Sequence, residues 1–188
     1  MPKIQGSAKI LSSAVTSSAP SGKKLAMPNK KIKNLSQMKT ILTRLKARGK
    51  KIVFTNGCFD ILHVGHIRYL KKAKSLGDIL IIGLNTDRSV KTIKGEKRPI
   101  VPEKERAEVL SALEFVDYVV FFDELDPLRL IKALKPHVLA KGADWSKDQI
   151  IGREIVKNLG GRVVRVPMVP GASSTGLIEK IKKAYGKG

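Results

Sequence analysis

Residues 51–66 of the chain read KIVFTNGCFDILHVGH. The segment opens with an apolar run of strand length at 51–55 and then passes through a glycine into a helical pattern near 65–76. Gly57 allows the backbone to approach a phosphate closely, and a helix that begins near Gly65 directs its unpaired N–H groups and positive dipole end toward an anion. The segment therefore predicts a strand, a phosphate-binding loop and a helix, in that order.

The alternation of strand and helix continues to the end of the chain. Apolar runs of strand length lie at 79–84, 117–122, 137–140 and 162–166, and helical patterns lie at 102–114, 126–135, 148–158 and 174–184. Such alternation is typical of a parallel sheet with helices on both faces. We expect an α/β fold with a doubly wound, Rossmann-like sheet of five parallel strands, and ligands bound beyond the carboxyl ends of the strands.

The first fifty residues differ from the rest in charge. The 188-residue chain has a net charge of +21, and residues 1–50 hold 12 of its 37 Lys/Arg but none of its 16 Asp/Glu. Residues 1–33 lack sustained periodicity, which predicts a basic low-complexity tail, and residues 34–188 are expected to form one domain with a lead-in helix at 34–49. We expect removal of the tail to leave catalysis unchanged.

Three other interpretations of this tail remain open. It could bind nucleic acid or an anionic membrane surface through its positive charge. Its acid-free, serine-containing composition also resembles an organellar transit peptide, although arginine is missing. A solvated tail is favoured because no aromatic stacking residue precedes Phe54.

Cysteine content and hydropathy exclude several classes of protein. Cys58 is the only cysteine, which rules out an intramolecular disulfide and a cysteine-based zinc site. No apolar run approaches the roughly 20 residues that span a bilayer, and the N-terminus lacks the apolar stretch of a secretory signal. We therefore expect a cytoplasmic protein without a membrane partner.

His63 and His66 lie three residues apart at the predicted helix start, where both can donate hydrogen bonds to phosphoryl oxygens. Taken singly, each histidine could instead be a capping or core residue, and a metal pair lacks a third ligand nearby. Cys58 could be a nucleophile near a helix dipole, but direct displacement at phosphorus needs no protein nucleophile. The segment favours phosphoryl chemistry.

This segment resembles the cytidylyltransferase-like nucleotidyltransferase superfamily, whose hallmark His-x-Gly-His corresponds to His63-Val64-Gly65-His66. Within the superfamily, the chain resembles the heptose 1-phosphate adenylyltransferases of lipopolysaccharide biosynthesis over about residues 35–184. Glycerol-phosphate cytidylyltransferases usually carry Thr at the position of Cys58 and an Arg-Thr pair at the position of Met168-Val169. Further matching segments are Asn85-Thr86-Asp87, 94–99, Glu105-Arg106, 141–144 and 171–175.

The resemblance implies transfer of AMP from ATP, with Mg²⁺, to D-glycero-β-D-manno-heptose 1-phosphate, giving ADP-heptose and pyrophosphate. One alternative is a cytidylyltransferase of the same fold that acts on another phosphate acceptor such as glycerol 3-phosphate. Another is a nucleic-acid-binding protein that acts through the basic tail. Many members of the heptose branch carry a fused sugar kinase domain, so a separate sugar kinase partner is expected here, and a homodimer is considered as the assembly.

The resemblance also implies roles for individual residues, none of them as a metal ligand. The catalytic residues would be His63, His66 and Lys94. The nucleotide-binding residues would be Asn56, Gly57, Cys58, Phe59, Gly65, Gly142, Asp144, Ser173, Ser174 and Thr175. The substrate-binding residues would be Asp60, Asn85, Asp87, Arg98 and Arg106.

Several of these roles have a purely structural alternative. Lys94 and Arg98 are placed in a loop after the second predicted strand, where they would close over phosphates or simply form a solvated basic loop. The hydroxyl groups at 173–175 could simply cap the last helix, without binding phosphate. Arg106 could contact the nucleotide or form a salt bridge with Glu103 or Asp123, and Trp145 could stack on a ligand or lie half-buried in the core.

Overall fold

The computed structural model describes residues 29–186, apart from the Lys147 side chain. The strands of this part are β1 (Ile32–Lys33), β2 (Ile52–Gly57), β3 (Ile79–Asn85), β4 (Tyr118–Phe122), β5 (Val138–Gly142) and β6 (Arg162–Val166). The helices are α1 (Leu35–Ala47), α2 (Val64–Lys74), α3 (Asp87–Lys94), α4 (Glu103–Ala112), α5 (Leu128–Leu134), α6 (Arg153–Asn158) and α7 (Ser174–Tyr185), with a 3₁₀ turn at Lys147–Gln149.

All strands pair in parallel in the order β1-β4-β3-β2-β5-β6, which confirms the expected doubly wound α/β class. The chain runs from β2 outward through β3 and β4, and then returns to β5 on the other side of β2. The switch point therefore lies between the carboxyl ends of β2 and β5, where sheets of this class bind ligands.

Both faces of the sheet are buried, which explains why the strands read as continuous apolar runs. On one face Val53 packs with Leu70 of α2 and Leu110 of α4, all fully buried. On the other face Phe54 packs with Met38 of α1 and the side chains of α5 and α6. Each such side chain stabilises the fold by about 1.5–3 kcal/mol relative to exposure, so the two layers fix the strand ends that form the site.

The described part of the sheet has six strands, so the expectation of five is wrong. The added strand, β1, pairs with β4 through Ile32 and Val119. It lies in the segment expected as tail, 1–33, and Lys31 Nζ also donates to the Leu113 carbonyl at 3.0 Å. Two strand residues create no detectable periodicity, which is why the sequence pattern missed them. The rest of that expected tail, residues 1–28, lies outside the described residues.

Helix α1 confirms the lead-in helix expected at 34–49. Asn34 is its N-cap: the Asn34 side chain accepts from the Gln37 backbone N–H at 2.8 Å, and the Gln37 side chain accepts from the Asn34 N–H at 3.0 Å. This capping box satisfies two backbone donors and fixes the start of the helix.

Two helices differ from the sequence expectation. Residues 87–94, expected as a loop, form α3, because Thr86 caps the Ser89 N–H and Val90 is buried. The helix expected at 148–158 starts only at Arg153, because Gly152 adopts a φ of +85° and interrupts it. Within residues 29–186 no helix combines the length and the apolar character needed to cross a membrane.

Candidate functional site

Two cavities adjoin at the switch point. The first, here called the histidine cavity, is lined by Asn56, Gly57, Cys58, Phe59, Asp60, Gly65, His66, Tyr69, Lys94, Arg98, Lys141, Gly142, Asp144, Trp145, Met168 and Ser174. The second, here called the neighbouring cavity, adds Asn85, Ile93, Leu125, Pro127, Gln149 and Ile151. Both cavities include Asn56, Gly57, Cys58, Lys94, Lys141 and Trp145 in their walls. Two ligands can therefore meet across one shared wall.

The two histidines stack on each other at the start of α2. The ring centroids of His63 and His66 are 3.9 Å apart at an interplanar angle of 27°, and Phe59 lies 5.3 Å from His66, centroid to centroid. Gly65 makes this stacking possible, because a Cβ at that position would lie 2.9 Å from the His63 ring and 3.0 Å from the Ala172 Cβ. The glycine between the histidines is therefore required by packing.

Both imidazoles are uncharged at neutral pH. Burial, followed by the repulsion that the protonated ring would meet from His63 and Lys94, lowers the pKa of His66 to about 4, and burial also lowers the pKa of His63. Each ring therefore offers one N–H donor and one acceptor. Within the part of the chain that the structure describes, the Nδ1 atoms of both rings are buried without a hydrogen-bond partner.

Two helices begin at the histidine cavity. His63 is the N-cap of α2, and Ser173 caps α7 by accepting from the Gly176 N–H at 3.0 Å. Ser174 lines the cavity and donates to the Ile61 carbonyl at 3.0 Å, which ties the two helix starts together. Unpaired N–H groups and positive dipole ends at both helix starts favour an anion. Thr175 is exposed and does not line the cavity.

Asp60 anchors the segment that carries Arg98. The buried Asp60 carboxylate accepts from Arg98 Nε at 2.5 Å and from the backbone N–H groups of Ile100 and Val101 at 2.8 and 2.9 Å. Both residues line the histidine cavity, but the Asp60 carboxylate already accepts hydrogen bonds from Arg98 and from two backbone N–H groups. Arg98 Nη2, by contrast, is buried with no partner among residues 29–186. Arg98 is thus the member of the pair that is free to bind an anion.

The remaining predicted cavity residues fall on both sides of the shared wall. Lys94, the last residue of α3, lines both cavities, and the Asn56 Oδ1 atom there is buried and unpaired within the described segment. Asn85 lines the neighbouring cavity and donates to Ser89 Oγ at 2.9 Å. Gly142 and Asp144 line the histidine cavity, and a Cβ at position 142 would collide with the Asp144 carboxylate.

Arg106 and Asp87 lie behind the site, and neither lines the two cavities. The Arg106 guanidinium is fully buried and donates to the Val101 carbonyl at 2.9 Å, the Cys58 carbonyl at 2.5 Å and Asp87 Oδ1 at 2.7 Å. Its salt-bridge partner is Asp87, not Glu103 or Asp123 as the sequence suggested. Direct substrate contact by Arg106 is therefore corrected to a positioning role, because each of its three side-chain nitrogens donates inside the protein. The Asp87 carboxylate is 35% exposed, and its substrate-binding role stays a prediction.

Several cavity residues were missed or left undecided by the sequence. Lys141 and Tyr69 were not assigned a role, although a lysine between the apolar run 138–140 and a glycine was a visible signal. Burial raises the pKa of Tyr69 to about 12, and its hydroxyl lies 2.6 Å from Thr55 Oγ. Trp145 is 44% exposed, so it belongs to the cavity wall and not to the core.

Comparison with known proteins identifies the family of this site. A model of the family described as Cytidylyltransferase-like matches residues 54–180, which include both histidines and α7 up to Lys180. The chain belongs to the cytidylyltransferase-like family. This confirms the resemblance found at His63-Val64-Gly65-His66.

Curated proteins that are similar to this chain include two named bifunctional protein HldE. The one from Geobacter metallireducens is 58% identical over 157 residues, and the one from Geobacter sulfurreducens is 55% identical over 157 residues. Each match covers 84% of this chain and 32% of the relative. The chain thus spans about a third of the length of these relatives.

Two solved structures resemble this cytidylyltransferase-like fold. The lipopolysaccharide core biosynthesis protein from Thermoplasma volcanium is 33% identical, with a TM-score of 0.53, and the match covers 64% of this chain and 98% of that one. Pantoate-beta-alanine ligase from Francisella tularensis, solved with a nucleotide and beta-alanine, is 20% identical, with a TM-score of 0.58 and coverage of 83% and 78%. The second likeness concerns the fold alone.

Proposed function

We propose that the chain transfers AMP from ATP to D-glycero-β-D-manno-heptose 1-phosphate and releases pyrophosphate. The observation that carries the proposal is the histidine cavity, which is lined by His66 and by Gly65 and Ser174 from the starts of α2 and α7. His63 does not line this cavity but stacks on His66 beside it. The name HldE of the relatives and the lipopolysaccharide core biosynthesis protein support the heptose acceptor. A sugar kinase that supplies the acceptor's 1-phosphate is part of this proposal.

The chemistry follows from the arrangement of donors. An acceptor phosphate oxygen attacks the α-phosphorus of ATP in line, and the bond to the pyrophosphate oxygen breaks. No protein nucleophile is needed, so catalysis consists of positioning and charge stabilisation. The neutral histidines donate N–H groups to phosphoryl oxygens, while Arg98 and the start of α7 hold the leaving pyrophosphate.

The neighbouring cavity is assigned to the acceptor. It shares the wall that contains Lys94 with the histidine cavity, as two reacting substrates require. ATP is favoured over CTP because Met168 lines the histidine cavity at the position where the cytidylyltransferase branch usually carries arginine.

We assign the divalent cation to the triphosphate of the bound nucleotide and not to protein ligands. Within residues 29–186 no group of three His, Cys, Asp or Glu side chains could hold a metal ion, and Asp60 is already occupied by Arg98. The residues present therefore do not form a protein-held Mg²⁺ site, and the ion would be bound by the triphosphate oxygens.

Pyrophosphate release by the purified chain tests the proposal. Release is expected with ATP plus heptose 1-phosphate, and not with either substrate alone. His63→Ala and His66→Ala should each reduce kcat by about 10²-fold or more, the range measured when one transition-state donor is lost. A preference for CTP, or for another phosphate acceptor, would replace this proposal with a cytidylyltransferase. Near-normal rates in both folded variants would reject the histidine assignment.

A further inference from the structure

Lys141 is a buried cation in the interior of the sheet. It is the fourth residue of β5 and is 9% exposed, and Val138, Leu139 and Ala140 before it are fully buried. Burying an ammonium group costs several kcal/mol unless other interactions compensate for the lost water. We therefore expect this buried lysine to have a functional role that outweighs its cost in stability.

No direct protein acceptor compensates for this burial in the part of the chain that the structure describes, and the attraction of Asp144 is smaller than the effect of desolvation. There the Lys141 ammonium forms neither a hydrogen bond nor a salt bridge, and it lies 5.4 Å from the centroid of the Trp145 ring. The other deeply buried cation, Arg106, donates to three protein acceptors instead. Lys141 therefore keeps its hydrogen-bonding capacity for a ligand.

The position of Lys141 indicates which ligand group it meets. It lies at the switch point beside β2 and lines both the histidine cavity and the neighbouring cavity. If each cavity holds one substrate, the phosphorus that is transferred must lie at their shared wall. Lys94 also lines this wall, but it is exposed at the end of α3, whereas Lys141 is fixed by burial.

We propose that Lys141 is a catalytic residue whose ammonium group contacts the phosphoryl group that passes from nucleotide to acceptor. This rests on the proposed function. A charge held in place in the cavity wall needs little reorganisation as negative charge grows on the phosphoryl oxygens, so it stabilises the transition state more than the bound substrate.

The first test is the variant Lys141→Met, which keeps the length of the side chain and removes its charge. We expect kcat to fall by about 10²- to 10³-fold, with the KM for ATP changed far less. Thermal stability should rise or stay constant, because an unpaired buried charge is removed. The matched control is Lys46→Met, which removes two hydrogen bonds to the Leu134 and Lys135 carbonyls remote from the cavities and should leave kcat unchanged.

The second test is the pH profile of kcat/KM. Burial lowers the pKa of Lys141 to about 8, opposed mainly by the attraction of Asp144. The active form is the cation, so the wild-type value should be level below pH 8 and fall above it, while Lys141→Met should lack this fall. Other titratable or charged groups in the same walls are Cys58, Asp60, His66, Tyr69, Lys94, Arg98 and Asp144.

The third test does not depend on turnover. The wild-type chain is treated with an amine-selective acetylating reagent with and without ATP, and acetylation is mapped by peptide mass spectrometry. ATP should protect Lys141 at least several-fold and leave the exposed Lys72 unchanged.

These outcomes separate the two proposals. Equal labelling of Lys141 with and without ATP, or a kcat of Lys141→Met within threefold of the wild type, overturns the role of Lys141. Protection by ATP without pyrophosphate release from any sugar phosphate instead contradicts the proposed function, while contact between Lys141 and the nucleotide stands.

Discussion

Replacing Gly65 by alanine should damage activity without damaging the fold. The added Cβ would lie 2.9 Å from the His63 ring and 3.0 Å from the Ala172 Cβ. Ordinary contact begins near 3.4 Å, so the ring and the loop at 171–173 must each retreat by about 0.5 Å. That retreat separates His63 from His66 and from the start of α7.

The expected magnitude follows from this displacement. A misplacement of about 1 Å in a catalytic arrangement costs about 10²-fold, so about half that shift should reduce kcat/KM by roughly 10- to 100-fold, or about 1.4–2.7 kcal/mol in the activation free energy. The fold is affected less. Overpacking costs about 1–3 kcal/mol, and alanine offsets up to about 1 kcal/mol of this through its higher helix propensity.

The assay is pyrophosphate release together with thermal unfolding of the same preparations. Gly49→Ala is the matched control, because Gly49 has a φ of +69° and no atom within 4 Å of an added Cβ. That variant should lose about 1 to 2 kcal/mol of stability from backbone strain and keep its full activity. A Gly65→Ala protein with kcat/KM within twofold of the wild type would show that the stacked histidines do not need this spacing.

Three further predictions concern stability. Arg106→Met should lower the free energy of unfolding by roughly 2–4 kcal/mol, since it leaves buried carbonyls such as that of Cys58 without a donor; unchanged urea unfolding would contradict the bonding described. The pKa of His66 is depressed to about 4, so its contribution to stability is complete above pH 6.5 and is lost as the pH falls toward 4. The urea midpoint should drop over that interval, and less so in His66→Gln; identical profiles would contradict this. Removing residues 1–28 should leave the melting temperature unchanged, whereas removing residues 1–33 deletes β1 and should lower it, and equal melting temperatures would be evidence against a stabilising strand.

The strand, loop and helix of residues 51–66 were predictable from the sequence because their signals are local. The apolar run 51–55 fits a strand buried on both faces, Gly57 permits a close turn, and the N-cap position of His63 follows from where the helix begins. The same holds for α1, whose capping residues Asn34 and Gln37 are three apart. Local spacing was sufficient to predict the order of elements and the position of the loop between β2 and α2.

Short elements were not predictable in this way. Strand β1 has only two residues and owes its existence to pairing with Val119, which lies more than eighty positions further along the chain. Helix α3 buries only Ser89 and Val90, so its periodicity is too weak to distinguish it from a loop. Tertiary contacts, and not intrinsic preference, decide such segments.

The sequence alone thus determined the strand, loop and helix of residues 51–66 and the family, since the glycines and histidines of this segment act on their own neighbours. Tertiary structure decided which charges face a ligand. Arg106 was expected at the substrate and is instead enclosed behind the two cavities, whereas Lys141 was given no role and lines both of them. The reason is physical: whether a cation is paired or available depends on burial and on partners from distant strand ends, and β2 and β5 meet only when the sheet has formed.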